Sequence, residues 1–314
     1  GNVYVSQEDR VRKITAGGLV STIAGGDNPA GQTYSDGIAS AARFKTIRGI
    51  AVDANANVYA ADTGNYAIRK ISPAGVVSTL AGGPGSQGYV DGPISVAKFT
   101  NPWAVTADSG GNLYVLDLLD SALGAAPSFI GINPSQGFII RKISTTGIVS
   151  TVPGGTLNGL IFPGKIAVDR QGNIYVTIMP ATAGFVIGQI VYSIRESYIR
   201  KITPLGEVSV FAGSTDSGSA GMVDGAGTNA RFATLKDIAI DDTDRLYVID
   251  TFVGLQNSTV RRITPDGLVS TVVGKVNAVN LRPPGATPPD RATINDFTYC
   301  ASTVAIGRRP VVNF

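Results

Sequence analysis

Short runs of alternating hydrophobic and polar positions follow one another along the chain. One stretch contains four of them in succession: IAVD at 50–53, NVYA at 57–60, IRKI at 68–71 and VSTLAG at 77–82. Alternation of this kind, together with frequent Val, Ile and Thr, is typical of half-buried β-strands. The pattern therefore predicts an all-β protein built from units of four short strands, named a to d in chain order.

The same four runs recur along the chain. The clearest marker is RKI in strand c, which stands at 12–14, 69–71, 141–143, 200–202 and, as RRI, at 261–263. Strand b resembles GNVYV and begins upstream of each marker, at Gly1, Ala56, Gly111, Gly172 and Asp244. Strand a resembles GIAVD and begins at Gly49, Ala104, Lys165, Asp237 and Thr303. Repetition at this length is the signature of a stacked repeat architecture.

Two of the connections are short in every copy. The a–b connection has the form Asp-x-x-Gly-Asn, as at 108–112, and the c–d connection carries turns such as Ser-Pro-Ala-Gly at 72–75. Asp and Gly suit a tight hairpin, and Pro presets φ for a turn. Because the strands of a meander alternate in direction, these two turns share one face, and the longer b–c and d–a connections share the other. We expect binding on the face with the longer connections.

A single four-stranded meander cannot bury both of its faces, but several stacked radially can. Five copies of each strand predict a five-bladed β-propeller of four-stranded antiparallel blades, with residues 1–314 as one domain. The chain starts at a strand b and ends with a strand a at 304–306, so the last strand would complete the first blade. A six-bladed parent with one blade missing from this chain is the alternative.

These linked motifs resemble the NHL-repeat family of β-propellers. The best-matching copy is DGIASAARFKTIRGIAVDANANVYAADTGNYAIRKISPAGVVSTLAGG at 36–83. The resemblance implies a propeller whose relatives include protein-binding and RNA-binding modules, and enzymes of the amidating-lyase, strictosidine-synthase-like and calcium-dependent lactonase types. Fold alone does not choose among these functions.

Composition removes several of these options. The chain contains no histidine, which excludes serine–histidine catalysis and histidine-ligated zinc or haem iron, including the ligands that the lyase relatives imply. Ten of the 26 basic residues are the Arg-Lys or Arg-Arg pairs at the start of the five strand-c markers. The basic residues behind the net charge of +3 are therefore spread around the molecule, rather than gathered into a patch that would bind nucleic acid. We expect the stem of one member of each pair to cover a neighbouring blade. The single cysteine, Cys300, allows no internal disulfide.

Three carboxylates end strand b, and the resemblance to calcium-dependent lactonases makes them candidate ligands: Asp62, Asp117 and Asp250. The equivalent places in the other copies hold Gln7 and Ile178. We expect the aspartates to bond the backbone of the next turn instead, so no calcium or other cofactor is predicted. A carboxylate- or calcium-dependent hydrolase or lyase at the channel mouth is the enzymatic alternative, and it would need two or three carboxylates to converge there.

The d–a connections carry two periodic features. Asp-Gly pairs begin at Asp36, Asp91 and Asp224, and we interpret them as turns, with a shared cation or sugar-hydroxyl site as the alternative. A phenylalanine precedes each strand a, and these residues are predicted plugs between blades: Phe44, Phe99, Phe162, Phe232 and Phe297. The single tryptophan, Trp103, stands at the start of a strand a, where we expect core. A carbohydrate-binding propeller, which would want exposed aromatic residues, is the third function considered.

Two b–c connections differ from the rest in length and in their lack of charge. They cover 118–137 and 178–197 in consecutive blades, and no charged residue lies between Gln171 and Arg195. The candidate contact residues in them are Phe129, Ile130, Ile132, Met179, Phe185, Val186, Ile187, Ile190, Val191 and Tyr192. If exposed, they would form an apolar patch that monomeric proteins rarely keep. The alternative is a lid in which both loops bury their own apolar residues.

The sequence therefore predicts a non-catalytic module that binds protein through these two loops. The partner is either another protein or further copies of the chain itself, in an oligomer or filament. No catalytic residue, no metal-binding residue, no nucleic-acid partner and no transmembrane segment are predicted. Extracellular or cell-surface localisation is expected, because the chain begins inside a repeat and leaves room for a removed upstream segment.

Overall fold

The computed structural model arranges the chain as five antiparallel β-sheets, the blades of a propeller. It describes residues 1–26, 31–119, 137–158, 161–162, 164–186, 189–194, 197–215, 221–252, 257–274 and 304–306. Within these ranges the only helices are single 3₁₀ turns, at Ala39–Ala41, Thr63–Asn65 and Gly227–Asn229. The predicted all-β, five-bladed fold is confirmed.

Each blade starts with strand a beside the central channel and continues outward to strand d. Blade 1 consists of Val304–Ile306, Val3–Gln7, Arg10–Ile14 and Val20–Gly25. Blade 2 consists of Ile47–Val52, Val58–Asp62, Ala67–Ile71 and Val76–Gly82. Blade 3 consists of Pro102–Ala107, Leu113–Leu119, Gly137–Ile143 and Ile148–Asn158. Blade 4 consists of Ile166–Val168, Ile174–Val186, Tyr198–Ile202 and Val208–Ala212, and blade 5 of Leu235–Ile240, Leu246–Phe252, Asn257–Ile263 and Leu268–Val273.

The C-terminal strand closes the ring as predicted. Val304–Ile306 pairs antiparallel with Val3–Gln7, with Val3 opposite Ile306 and Val5 opposite Val304. The first blade is therefore assembled from both ends of the repeat array. This closure joins the innermost strand of the blade to the rest of its sheet by backbone hydrogen bonds.

Three blades have a fifth strand that the sequence pattern does not show. Two-residue strands at Gly37–Ile38, Gly92–Pro93 and Gly225–Ala226 pair with the outer edge of strand d in blades 2, 3 and 5. The aspartate before each of them fixes the d–a connection along that edge. In blade 2, for example, Asp36 Oδ2 accepts the backbone N–H of Thr79 at 3.1 Å. The Asp-Gly pairs thus do more than turn the chain, because they add a strand to the rim.

Blade 4 also departs from four strands. Ile161–Phe162 pairs with Met179 and Pro180 of strand b, and Gln189–Ile194 pairs with the far end of the same strand. Strand b of this blade is therefore much longer than its counterparts, reaching from Ile174 to Val186.

The a–b turns are held by their first aspartate. In blade 3, Asp108 Oδ1 accepts the backbone N–H of Asn112 at 2.9 Å, and Asp108 Oδ2 accepts the Asn112 side-chain amide at 2.8 Å. The hydroxyl of Tyr114 on strand b donates to the same Oδ2 at 3.3 Å. Desolvation, reinforced by that carboxylate, raises the pKa of Tyr114 to about 12. The Asp, Asn and Tyr positions of the repeat are thus one structural unit that keeps this face of the propeller short.

The core lies between the blades, where the phenylalanine of each d–a connection is inserted. Phe44, Phe99 and Phe232 are 5%, 0% and 0% exposed, so their predicted role as plugs is confirmed. Phe297 and the side chain of Phe162 lie outside the described residues. No helix within the described ranges is long and apolar enough to cross a membrane.

Candidate functional site

The predicted contact loop at 178–197 contains a β-hairpin, which we call the blade-4 hairpin. Strand b of blade 4 continues to Val186, and Gln189–Ile194 returns alongside it. The register runs from Ala181 opposite Ile194 to Val186 opposite Gln189. Among the described residues these two segments pair only with each other, so the hairpin extends past the blade on the face of the long connections.

The register sorts the hairpin positions into two rows, because alternate residues of a strand share a face. One row, which we call the apolar row, contains Ala181, Ala183, Phe185, Ile190, Tyr192 and Ile194. The opposite row contains Thr182, Gly184, Val186, Gln189, Val191 and Ser193. The uncharged segment is therefore two-sided, with every large aromatic residue in one row.

The predicted contact residues fall in different places. Phe185, Ile190 and Tyr192 belong to the apolar row, whereas Val186 and Val191 belong to the opposite row. Met179 is only 8% exposed and is part of the protein interior. Phe129, Ile130, Ile132 and Ile187 lie outside the described residues.

The aspartates that end strand b are buried in what we call the Arg–Asp clusters of blades 2, 3 and 5. Each cluster joins the strand-b aspartate, the first arginine of the RKI or RRI marker and the aspartate of the d–a connection. The members are Asp62, Arg69 and Asp36; Asp117, Arg141 and Asp91; and Asp250, Arg261 and Asp224. All three arginine side chains are fully buried.

The blade-2 cluster shows which groups the two terminal nitrogens of the guanidinium contact. Arg69 Nη1 donates to Asp62 Oδ2 at 2.9 Å, and Arg69 Nη2 donates to Asp36 Oδ1 at 2.7 Å. The backbone carbonyls of Ser35 and Arg43 accept from it at 2.7 and 3.0 Å. The rings of Tyr34 and Phe44 lie 4.7 and 5.0 Å from its central carbon. The arginine thereby attaches the d–a connection to the blade.

Desolvation raises the pKa of all three strand-b aspartates above its ordinary value. The pKa of Asp117 rises to about 7 and that of Asp250 to about 6, opposed by backbone N–H donors and by the neighbouring arginines. The contact with arginine is longest in blade 3, where Arg141 Nη1 lies 3.8 Å from Asp117 Oδ2, against 3.1 Å for Arg261 Nη1 and Asp250 Oδ2.

The contacts of the strand-b aspartates can be compared with the expectation from sequence. The aspartates accept backbone N–H groups from the d–a connection that precedes strand a, such as those of Lys45, Asn101 and Thr234, rather than from the next turn as expected. The charge beside each of them is a guanidinium. Among the described residues no group of three or more carboxylate or cysteine side chains could hold a metal ion. Asp36, Asp91 and Asp224 likewise contact the buried arginines.

The arginine role was missed in the sequence, although a signal was present. Where strand b ends in Asp and the d–a connection carries Asp-Gly, the first residue of the marker is a buried arginine. In blade 4 the strand-b position is Ile178, and Arg200 is only half-buried. The expectation that one member of each pair covers a neighbouring blade stays a prediction. The arginine enters a cluster, and lysines such as Lys70 and Lys142 lie 5.9 and 5.6 Å from a tyrosine ring of the adjacent strand b.

A second constellation lies at the start of the innermost strands. The pairing of strands a and b has a bulge at the same place in blades 2, 3 and 5, and the bulged residues are Arg48, Trp103 and Lys236. The next position holds Lys165 in blade 4 and Asp237 in blade 5. We call these five residues the channel-mouth cluster.

Two contacts join Arg48 to Trp103 and to Lys165. The guanidinium carbon of Arg48 lies 4.7 Å from the centre of the Trp103 ring. Lys165 Nζ donates to the backbone carbonyl of Arg48 at 2.9 Å, which joins blade 4 to blade 2 across the channel. Burial lowers the pKa of Lys165, and the charge of Asp237 opposes this shift. Trp103 is half-buried, and its buried part packs on the hydrophobic core between blades 3 and 4. The prediction of Trp103 as a core residue therefore holds only for that part of the side chain.

A cleft of about 480 Å³ lies on the opposite face, between the short turns of blades 3 and 4. Its walls include Asp108, Tyr114, Lys142, Asp169 and Arg170. Both carboxylates already hold their own a–b turns through four-residue hydrogen-bonded loops. The two carboxylates in this cleft therefore act mainly to stabilise the a–b turns.

Comparisons with known proteins agree on the fold. A family model described as a beta-propeller repeat matches residues 154–177. No protein with curated function matches the sequence. Among solved structures, an auxiliary nutrient binding protein from Bacteroides thetaiotaomicron is similar at 16% identity and a TM-score of 0.50, over 86% of this chain and 53% of that one. This chain thus spans about half the length of that protein.

Two enzymes are also similar in structure. A gluconolactonase from Xanthomonas campestris matches at 14% identity, over 85% of this chain and 69% of that chain, with a TM-score of 0.48. A streptogramin B lyase matches at 14% identity, over 86% and 78%, with a TM-score of 0.42. At identities this low a structural similarity shows the fold alone, so function has to be argued from the residues of this chain.

Proposed function

We propose that this chain is a non-catalytic, NHL-like propeller that binds protein through the blade-4 hairpin. The partner we propose is a second copy of the chain. The observation that carries this proposal is the apolar row, in which three alternate cross-strand pairs, six residues in all, hold no polar group apart from the tyrosine hydroxyl.

The hairpin by itself would have low stability in water. A two-stranded hairpin without a covering layer is at best marginally stable, and this one pairs with no further strand among the described residues. Its open edges and its apolar row would both be satisfied by another copy of the same hairpin. The absence of charge from residue 172 to residue 194 also suits a permanent contact between identical surfaces.

The energetics favour a symmetric pair. Phe185, Ile190, Tyr192 and Ile194 are the large residues of the row, and burial of one such side chain contributes roughly 1.5–3 kcal/mol. Two copies related by a two-fold axis bury eight of them, on the order of 12–24 kcal/mol before costs. Association costs about 4–15 kcal/mol, so a pair is stable where one row against an unrelated surface would be marginal.

A matched pair of substitutions tests this proposal. Phe185→Asp places a charge in the apolar row, and Val191→Asp places the same charge in the opposite row of the same hairpin. We expect Phe185→Asp to raise the dissociation constant of the pair at least about a hundredfold, because a buried unpaired charge is costly. Val191→Asp should leave it nearly unchanged. Light scattering coupled to size exclusion gives the particle mass, and circular dichroism checks that both variants keep the β-fold.

The alternative, in which the two long loops form a lid within one molecule, predicts a different result. If 178–197 folds over its neighbour 118–137 within one molecule, removal of 181–194 leaves the particle mass unchanged and lowers only thermal stability. An equal effect of the two aspartate substitutions on particle mass would also contradict the proposal.

The enzymatic alternative has its own test. A calcium-dependent hydrolase or lyase would be stabilised by calcium, and a rise in melting temperature on calcium titration would favour it. We expect no rise, because the strand-b aspartates already accept backbone N–H groups and lie beside buried arginines. Extracellular or cell-surface localisation remains a prediction, as does carbohydrate binding as a third function.

A further inference from the structure

We propose that the outer edge of blade 4 binds a segment of another protein that contains an Asp-Gly pair. This edge consists of strand d, Val208–Ala212, and of the side chain of Arg200 on the neighbouring strand c, and we call it the blade-4 rim. The proposal does not depend on the hairpin contact, which lies on the face of the long connections.

Three other blades have this edge covered by their own chain. In blades 2, 3 and 5 a two-residue strand of the d–a connection pairs with the start of strand d. The connection before strand a of blade 4 covers only 159–165, against 26–46 in blade 2, and the sequence has no Asp or Glu between Asp120 and Asp169. Among the described residues, no strand pairs with the outer side of Val208–Ala212.

The exposure of one valine position shows the consequence. Val77, Val149 and Val269 lie beneath the added strands and are 2%, 1% and 1% exposed. Val208 has the same register with strand c in blade 4, and it is 48% exposed. The end of blade 3 lies beside it at Gly154, yet leaves about half of the residue open. A strand edge with an open apolar residue is a template for pairing with another chain.

Arg200 differs from its counterparts in its partners. Each buried arginine of blades 2, 3 and 5 lies between an inner aspartate of strand b and an outer aspartate of the d–a connection. In blade 4 the inner position is Ile178, and the guanidinium of Arg200 donates to the Tyr198 hydroxyl at 3.1 Å. Within the described part of the chain, no carboxylate pairs with Arg200. A carboxylate supplied at the outer position would form a charge-assisted hydrogen bond with it.

The covered edge of blade 2 indicates which residues the rim accepts. Asp36 Oδ1 accepts from Arg69 at 2.7 Å, and Asp36 Oδ2 accepts the N–H of Thr79 at 3.1 Å. Gly37 follows and pairs with Val77. The glycine has a φ of +150° in blade 2 and of +131° in blade 3, which other residues rarely adopt. Aspartate followed by glycine is therefore the pair that fits this edge.

The repeat register transfers these contacts to blade 4. The aspartate of a bound segment would lie between Arg200 and the N–H of Val210, and the glycine would lie opposite Val208. The next residue would face Glu207, which is exposed. Opposite charges that face each other across two strands stabilise the pairing, so lysine or arginine is favoured after the glycine.

The partner is a different protein rather than a second copy. The Asp-Gly pairs of the d–a connections, at 36–37, 91–92 and 224–225, are already held in their own blades by strand pairing and by a buried arginine. Their release would break these contacts before any new ones form.

A short peptide tests the rim. It has the sequence Tyr-Ser-Asp-Gly-Lys-Ala-Ser, which copies residues 34–40 with Ile38→Lys, and it carries blocked ends and a fluorescent label. The full chain is titrated into it at low ionic strength, and we expect a saturable rise in fluorescence anisotropy. The same peptide with asparagine in place of aspartate should bind at least about tenfold more weakly, because it loses a charge-assisted hydrogen bond.

Variants of the chain decide whether the peptide binds at this edge. Arg200→Met should weaken binding at least about tenfold, and Arg170→Gln, which changes a 54% exposed side chain on the face of the short turns, should not. Val208→Pro removes a backbone donor from the outer side of strand d, where proline is tolerated, and should also weaken binding. Circular dichroism checks that each variant keeps the β-fold.

Several results would overturn the proposal. They are the absence of saturable binding, equal affinity for the aspartate and asparagine peptides, and an affinity that Arg200→Met leaves unchanged. A particle mass that falls in Arg200→Met would assign the rim to a second copy and overturn the choice of partner. Phe185→Asp should leave the affinity for the peptide unchanged, so failure of the hairpin contact and failure of the rim can be told apart.

Discussion

Replacement of Arg69 by methionine removes the central group of the blade-2 Arg–Asp cluster while keeping a side chain of similar length. Arg69 donates to Asp62 at 2.9 Å and to Asp36 at 2.7 Å, and its side chain is fully buried. Asp62 is also 0% exposed, so the variant leaves a carboxyl group in the interior without its cation. Two backbone carbonyls of the d–a connection lose their donor as well.

The size of the effect follows from these contacts. Breaking a buried ion pair on one side typically costs about 3–5 kcal/mol, because the remaining charge is uncompensated. That is a large part of the roughly 5–15 kcal/mol that holds a typical domain folded. The double variant Arg69→Met, Asp62→Asn should recover part of this loss, since asparagine carries no charge and its carbonyl oxygen can still accept the Lys45 N–H, now received by Asp62 at 2.8 Å.

Blade 4 supplies the matched control. Arg200 occupies the same repeat position, but strand b ends there in Ile178, and Arg200 is half-buried with a hydrogen bond to the Tyr198 hydroxyl. Arg200→Met should therefore cost no more than about 1 kcal/mol. Urea unfolding followed by circular dichroism gives both values, and equal slopes with denaturant show that the same surface is exposed. Equal losses in the two variants would refute the view that the clusters, rather than the RKI motif as such, stabilise the blades.

Two further predictions concern pH and backbone shape. Because the pKa of Asp117 is about 7 in the folded protein and 3.8 in the reference state, its contribution to stability is fully present below the lower value and is lost as pH rises through the upper one. The melting temperature should rise as pH falls from about 8 to about 5, and Asp117→Asn should flatten that slope; an unaltered slope would contradict the assignment. Gly82→Ala should cost at least about 3 kcal/mol, because the added Cβ would lie 2.2 Å from the Tyr66 carbonyl oxygen at φ +75°. Gly18→Ala, at φ +80° with no atom within 4 Å, should cost only about 1 kcal/mol, and equal melting temperatures for the two variants would refute the steric argument.

The repeat made the fold predictable from sequence. Alternation is a local property, and the hairpin turns at 108–112 and 72–75 fix neighbouring strands without reference to the rest of the chain. The ring closure could be predicted by counting strands. The first unit lacks a strand a, and an additional strand a follows the last complete unit, at 304–306. The short outer strands at the rim were not predictable this way, since they depend on an aspartate reaching the backbone of a strand some forty residues later, as Asp36 does at Thr79.

The sequence predicts the blade-4 hairpin as a long b–c connection, because the segment lies between strands b and c and matches no strand of the repeat. Its rows of small and large residues alternate only weakly, and the turn signal is a single glycine, Gly188. The pairing of Phe185 with Ile190 separates the two faces, and that pairing is a property of the register rather than of composition. The patch proposed from sequence therefore mixed residues of both rows with the buried Met179.

The channel-mouth cluster could not be recognised from one sequence. Its members are different residue types separated by whole repeats, and only the bulges in the a–b pairing place Arg48, Trp103 and Lys236 at one level. Lys165 belongs with them because it is long enough to cross the channel. The arginines of the clusters were hidden for a related reason, since their partners lie in connections that the sequence presents as turns.

The mass of the native particle tests the central claim most directly. Sedimentation velocity of the unmodified chain over a wide range of concentrations compares it with the 32.4 kDa of one copy. Assembly through the apolar row predicts a species of at least twice that mass, which persists on dilution and is lost in Phe185→Asp but kept in Val191→Asp. A single species of 32.4 kDa at every concentration would contradict it.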